Sequence, residues 1–156
     1  KEREIKIKSI QMQFSLLTKP SLENDKIKNI CNENNIEYLA YSPLALGILA
    51  IPPDKSPKPS TFLRQQLFSR ILPKTKELRT LLTNIGKKYS ASQAQVALNW
   101  VRSHGAKPIV GIRNPLQAKD AISALKWSLT KSEKKRLDSY RDECLIDMPQ
   151  NPFSSP

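Results

Sequence analysis

Long apolar runs are missing from this 156-residue chain. None approaches the roughly 20 residues that a helix needs to cross a bilayer, which argues against membrane insertion. The charged start Lys1-Glu2-Arg3-Glu4 is followed by no apolar stretch, so it does not read as a secretory leader. The cytoplasm, or a plastid stroma after removal of a transit peptide, is the expected setting. Cysteine is scarce. Cys31 and Cys144 stand far apart, without the spacing of a metal site or a disulfide framework. Cys31 falls on an apolar helical face and is expected as a buried thiol. Histidine occurs once, as His104 before Gly105, where it reads as a residue of a helix C-terminus rather than a catalytic group. Acidic residues are outnumbered, giving a formal net charge of +12. The cations are dispersed over the polar faces of amphipathic helices, and no aromatic–basic stacking platform accompanies them, so nucleic acid is not the expected partner. An anionic cofactor is a second, more local use for part of the charge.

What is present is a regular succession of elements. Ile5 to Leu17 contains an extended stretch in which Ile10, Met12 and Phe14 alternate with Gln11 and Gln13, the period of two that marks a strand. Pro20-Ser21 opens a helix carrying Ile27, Ile30 and Cys31 on one face, and Asn34-Asn35 stops it. Ile36 to Tyr41 is a short, mostly apolar run suited to a buried strand. This is a strand–helix–strand unit of the size that a parallel crossover requires. Residues 50–72 read as one long loop, proline-rich at its start because proline breaks both helices and ladders. From Pro73 a helical stripe returns with Leu78, Leu81, Leu82 and Ile85. Ser90 and Gln93 are expected to form a capping box for the next helix, whose inner face is Ala94, Ala97, Leu98 and Val101, with Gly105 as its left-handed cap. Pro108-Ile109-Val110 is a third strand. Asn114 then caps a helix with Pro115 at its first position and Ala118, Ala121, Ile122 and Leu125 inward. Thr130 and Glu133 box the last helix, and residues 143–156 form an irregular tail.

Two of these junctions could carry chemistry. After the third strand come Gly111, which lets a ligand approach the backbone, and Arg113, a bidentate phosphate donor immediately before a helix N-terminus. On residue types alone this is a phosphate site or an ordinary strand–helix turn with an exposed arginine. The second strand ends in Tyr41-Ser42-Pro43-Leu44-Ala45-Leu46-Gly47. There a flat ring could stack on a heteroaromatic ligand while Ser42 and its neighbours bond a pyrophosphate, or Tyr41 could simply pack.

Four stretches, in order, bring a family into view. Tyr-Ser-Pro-Leu-Ala-Leu-Gly at 41–47 resembles the seventh strand and loop of aldo-keto reductases. Ser9 to Leu17 looks like their sixth strand, Ser92 to Trp100 is similar to their penultimate barrel helix, and Pro108 to Ala121 resembles their eighth strand and adenosine-phosphate loop. The resemblance runs over nearly the whole chain and is nearest to the branch with potassium-channel β-subunits and plant or cyanobacterial oxidoreductases. It implies an α/β fold: the C-terminal portion, the last three strands and their helices, of a (β/α)8 barrel, incomplete as it stands. It implies NADP as cofactor, a carbonyl substrate, and no metal. Matched position by position, Gln11 would bond the nicotinamide carboxamide and Tyr41 would stack on its ring. Ser42, Pro43, Leu44 and Ala45 would line the pyrophosphate. Gly111 and Arg113 would hold the 2′-phosphate, with Gln117 and Asp120 near that phosphate and the adenine. Arg64 is a further candidate phosphate contact.

The match has departures. Ile10 and Ala121 stand where the family usually has Asn, Asp120 is one carbon shorter than the usual Glu, and the loop after Gly47 lacks a Gly-Lys-Tyr. The family's catalytic Asp, Tyr, Lys and His lie on earlier strands, so no catalytic residue is assigned here. Three strands cannot close a barrel. The chain therefore needs the other half of the barrel, from a longer chain or a partner, or it is a truncated non-catalytic homologue with a structural or regulatory role.

Overall fold

The computed structural model describes residues 5–57, 59–143, 146 and 148. The expectations for Lys1–Glu4, for Cys144 and for the tail beyond Met148 lie outside the described residues. Three parallel strands form one sheet in the order β1 (Ser9–Gln13), β2 (Glu37–Tyr41), β3 (Lys107–Pro108). The alternation along β1 has a direct structural meaning. Ile10 pairs with Tyr38 and Met12 with Ala40 on one face, while Gln11 pairs with Leu39 and Gln13 with Tyr41 on the other. The first face is covered by helices, and Tyr38, Ala40 and the following Phe14 are buried there. On the second face Gln11 and Lys107 are exposed and Leu39 and Tyr41 half-buried.

The helices are α1 (Leu22–Glu33), α2 (Phe62–Ile71), α3 (Lys76–Lys88), α4 (Gln93–Ser103), α5 (Pro115–Ser123) and α6 (Lys131–Glu143). The expected stop of α1 holds: Asn35 takes a left-handed φ of 54°, and the Ile36 N–H returns to the Cys31 carbonyl. Helix α4 is the centre of the molecule. Every residue from Gln93 to Val101 is buried, so apolar side chains pack on more than one side, and the polar Gln93, Gln95 and Asn99 are enclosed with hydrogen-bond partners of their own. Trp100 stacks on Phe14 at 5.0 Å between centroids, and its indole N–H donates to Asp138 of α6. The α3 stripe of Leu78, Leu81, Leu82 and Ile85 is buried as expected. Each such side chain contributes about 1.5–3 kcal/mol.

Several expectations are corrected. The 50–72 segment is not one loop, because α2 occupies its second half. Helix α2 was hidden by its pattern: Phe62 and Leu63 are exposed at 70% and 72%, and only Phe68 and Ile71 are buried. The cap of α4 is Ser92, whose side chain accepts the Gln95 N–H; Ser90 sits two residues earlier in a left-handed turn with φ 51°. Ile30 points outward at 53% exposure although periodicity placed it with Cys31, which is buried. The third strand is shorter than Pro108–Val110 suggested, although the Ile109 N–H still reaches the Ala40 carbonyl at 2.8 Å. Ile122 and Leu125, expected inward, are 59% and 62% exposed. They lie beside β3, where Leu98, Val110, Ile112 and these two residues line an apolar groove.

Candidate functional site

Strands that run parallel bring their C-terminal ends to one side of the sheet, and the candidate residues collect there because their motifs follow strands. Gln11 and Gln13 lie on the open face of β1, beside Leu39 and Tyr41 of β2. Gln13, which sequence reasoning did not single out, pairs directly with Tyr41 and is buried at 9% exposure. The alternation of Gln11 with Gln13 was the signal that could have found it.

After Tyr41 the backbone takes a path that L-residues adopt at a cost of about 1–2 kcal/mol each. Ser42, Ala45 and Leu46 have φ of 52°, 48° and 58°, and Gly47 follows at 92°. Strained non-glycine residues persist only where their surroundings over-determine them, and they concentrate at functional sites. Pro43 and Ala45 are buried beneath this loop while Ser42 and Leu44 are half-buried. Ala45–Ala50 is a pair of tight turns broken by the non-helical Leu46 and Gly47 rather than one continuous 3₁₀ helix. Arg64 of α2 donates from Nη2 to the Leu46 carbonyl at 3.0 Å and lies over the Phe68 ring. Its Nε is buried without a hydrogen-bond partner among the described residues. A buried N–H of a guanidinium without a partner costs free energy, and an anion on this loop would supply one.

The β3–α5 junction keeps its expected form. Asn114 caps α5 by accepting the Gln117 N–H, and Pro115 follows. Gln117 also folds its Oε1 back onto the Arg113 N–H at 2.8 Å. These caps use part of the helix terminus: Pro115 has no N–H, Gln117 and Ala118 donate to Asn114, and Leu116 is left as the first-turn donor they do not engage. The anion capacity here therefore rests on Arg113, exposed and without a side-chain partner among the described residues, rather than on a ring of free amides. A Cβ on Gly111 would meet nothing within 4 Å, so the backbone there faces open space.

Asp120 is placed differently from its neighbours. Both carboxylate oxygens accept hydrogen bonds within the chain, from the Ser92 hydroxyl and the Gln95 amide, each at 2.7 Å. It ties α5 to the start of α4. His104 is a helix-terminal residue, as expected, held by Asp138 at 2.8 Å on the helix side of the sheet.

The arrangement defines a class. Parallel strands alternate with helices, one sheet face is covered and the other carries polar and aromatic groups, and the loops at the C-terminal strand ends bear the ligand-type residues. This is a segment of a (β/α)8 barrel, its C-terminal portion. The family model described as the aldo/keto reductase family matches residues 1–142, and the chain belongs to that family. It is 39% identical over 155 residues to the chloroplastic pyridoxal reductase of Arabidopsis thaliana, covering 99% of this chain and 42% of the relative. A putative aryl-alcohol dehydrogenase of Saccharomyces cerevisiae is 27% identical, over 83% of this chain and 38% of its own length. Among solved structures, a glycerol dehydrogenase of Gluconobacter oxydans superposes with a TM-score of 0.67 at 25% identity, over 95% of this chain and 46% of that one. A thermostable aldo-keto reductase bound to an inhibitor gives 0.60 at 20% identity, over 85% and 39%. The chain thus spans about two fifths of the length of the relatives it matches.

Proposed function

We propose that this chain is the NADP-holding part of an aldo-keto reductase that passes hydride between NADPH and an aldehyde or ketone. The observation that carries the reading is the convergence of Gln11, the strained Tyr41–Ala45 loop and Gly111–Arg113 at one end of a single parallel sheet. The residues present fit such a cofactor. The Gln11 amide can fix a carboxamide, Tyr41 offers a ring face, Ser42 a hydroxyl, and Arg113 a bidentate donor for a 2′-phosphate. Arg64 brings to the same loop a buried N–H that has no partner among the described residues. Gln117 orients the Arg113 backbone rather than reaching outward on its own. When bound, the cofactor supplies the hydride. The protein groups that move protons belong, on this reading, to the other part of the barrel, and the chain alone is inactive. Pyridoxal is an aldehyde, and the name of the Arabidopsis relative makes it the first substrate to try in the complemented protein. The same name supports a plastid setting.

A non-catalytic role, as a structural or regulatory subunit, has one specific observation in its favour. Asp120 is occupied by Ser92 and Gln95, and Ala121 beside it cannot hydrogen-bond an adenine through its side chain. The two readings separate in a fluorescence titration of the full chain with NADPH and NADH. The reductase reading predicts NADPH binding that Tyr41→Ala weakens, and that Arg113→Ala weakens by about tenfold or more, a charge-assisted hydrogen bond being involved. The NADH affinity of Arg113→Ala should barely change. Equal NADPH affinity in all three proteins would overturn the assignment of these residues.

A further inference from the structure

Between Ala45 and Arg64, the two ends of the phosphate-side region, runs a proline-rich stretch with little secondary structure of its own. Two buried side chains beneath it face its carbonyls. Arg79 of α3 is 2% exposed, and among the described residues no carboxylate forms a direct ion pair with it. Its Nη1 donates to the carbonyls of Ile51, Pro52 and Lys55, at 3.3, 2.7 and 3.4 Å, and its Nη2 to that of Leu72 at 3.0 Å. Gln93, at the start of α4 and 9% exposed, donates from Nε2 to the carbonyls of Leu49 and Ile51, at 2.9 and 2.6 Å. The Thr83 hydroxyl, one turn along from Arg79, contacts Gln93 Oε1 at 2.9 Å, which orients the amide with its NH₂ toward the loop.

An arginine buried among neutral carbonyls is an expensive way to fill a core, because burial disfavours its charge. What the guanidinium offers in return is a planar fork that can grip several carbonyls of one irregular segment at once. The segment gripped follows directly on the left-handed run Ala45–Leu46–Gly47 and precedes Arg64. Arg64 in turn holds the Leu46 carbonyl. Fixing Leu49 to Lys55 therefore fixes both the strained loop and the length of chain available to Arg64.

We propose that Arg79 and Gln93 are positioning residues of the cofactor's phosphate side: they hold the 49–55 segment in the bound conformation before the cofactor arrives. The role rests on the NADP reading above. It acts through preorganisation, so releasing the segment adds an ordering cost to binding without removing a contact to the ligand. Asp54, on the same segment, offsets part of the buried charge.

Trypsin gives a direct readout of the segment. Within residues 50–63 the only cleavable lysyl bond is Lys55–Ser56, since Lys58 precedes a proline. The full chain and its Arg79→Met, Arg79→Lys and Gln93→Met variants are digested briefly, with circular dichroism as the check on folding, and each is titrated with NADPH. In the two methionine variants cleavage at Lys55–Ser56 should accelerate by about tenfold while other sites keep their rates, as expected for loss of buried donors. NADPH affinity should fall in parallel, through faster dissociation, and Arg79→Lys should recover part of both. Gln93→Met keeps the test open should Arg79→Met fail to fold. Unchanged cleavage would overturn the proposal. So would faster cleavage with unchanged NADPH affinity, which would leave the two residues a purely structural tether. Failure of the unsubstituted chain to bind NADPH would defeat the cofactor reading and the positioning role with it, and is told apart because the cleavage difference would remain.

Discussion

Glu133 shows how a single buried carboxylate can bind two ends of a structure together. Burial by itself would raise its pKa, but hydrogen bonds from Tyr89, Thr130 and Lys88 outweigh that and hold it at about 2. Tyr89 donates to Oε2 at 2.7 Å while its ring stacks on Trp127, so the end of α3 is fixed to the start of α6. Because the folded pKa lies below the ordinary 4.5, the stabilisation is complete above that value and is lost as pH falls toward about 2. Glu133→Gln should therefore cost about 3 kcal/mol at neutral pH and flatten the acid limb of a stability-versus-pH curve measured by urea unfolding. His104 behaves in the opposite chemical sense but with the same sign. Its pKa is lowered first by burial, then by Lys134 and Lys28, against the opposing hydrogen bond and charge of Asp138. A depressed histidine pKa means that the neutral ring is the stable folded form. Stability is then present above the ordinary 6.5 and declines as pH drops through it toward the folded value. The neighbours from each packed element decide the size of the effect: Lys28 of α1 at 3.5 Å from Nδ1, and Asp138 and Lys134 of α6. An NMR titration should place His104 below 6.5, with Lys28→Met moving the midpoint up and Asp138→Asn moving it down.

At the scale of elements, helix ends carry the clearest correspondence between residue and structure. Asn114 and Thr130 cap where their sequences suggest, and Thr130 with Glu133 makes both bonds of a capping box. Ser92 rather than Ser90 caps α4, because two serines spaced around Ala91 offer the same local signal. The choice is made by tertiary contacts: Ser92 also reaches Asp120, and Ala91 is pinned by its N–H to the Gly86 carbonyl. Ser92→Ala should cost about 1 kcal/mol or more in thermal or chemical unfolding, since it loses the cap and a bond to Asp120. Gly86 is needed for a different reason. A Cβ there would lie 2.5 Å from the Ala91 carbonyl oxygen, so Gly86→Ala should destabilise by about 1–3 kcal/mol even though alanine is the better helix former. What could not be read from the sequence is consistent in kind. Helix α2 has its apolar residues on more than one side, and the clamp of Arg79 and Gln93 joins residues whose partners are backbone carbonyls, which have no side-chain signature. Asp120 carries the residue type of a ligand contact, but its partners on α4 are set by packing that local patterns do not encode. The first two strands and the Asn114–Pro115 start of α5 were legible because alternation, capping residues and proline at a first helical position are local.

For the whole molecule, the governing fact is that three strands bring two sheet edges. On the β3 side, α5 contributes no buried residue, and Ile122 and Leu125 stand exposed beside the groove that runs past Val110 and Ile112. In a closed barrel such surface is covered by the neighbouring strand and helix. Charged substitutions there, such as Ile122→Glu, should leave unfolding free energy within about 0.5 kcal/mol while reducing binding of an apolar dye such as ANS and reducing self-association in sedimentation. The same incompleteness separates holding a cofactor from using it. On the proposed reading, the strand ends of this chain hold a nicotinamide cofactor and its phosphates, and the proton-transfer groups belong to the remainder of the barrel. The most direct measurement is therefore to saturate the full chain with NADPH, add pyridoxal or a simple aromatic aldehyde, and follow cofactor fluorescence and absorbance over time. Saturable binding without carbonyl-dependent oxidation of NADPH is the predicted result. Steady oxidation by this chain alone, or no binding at all, would contradict it.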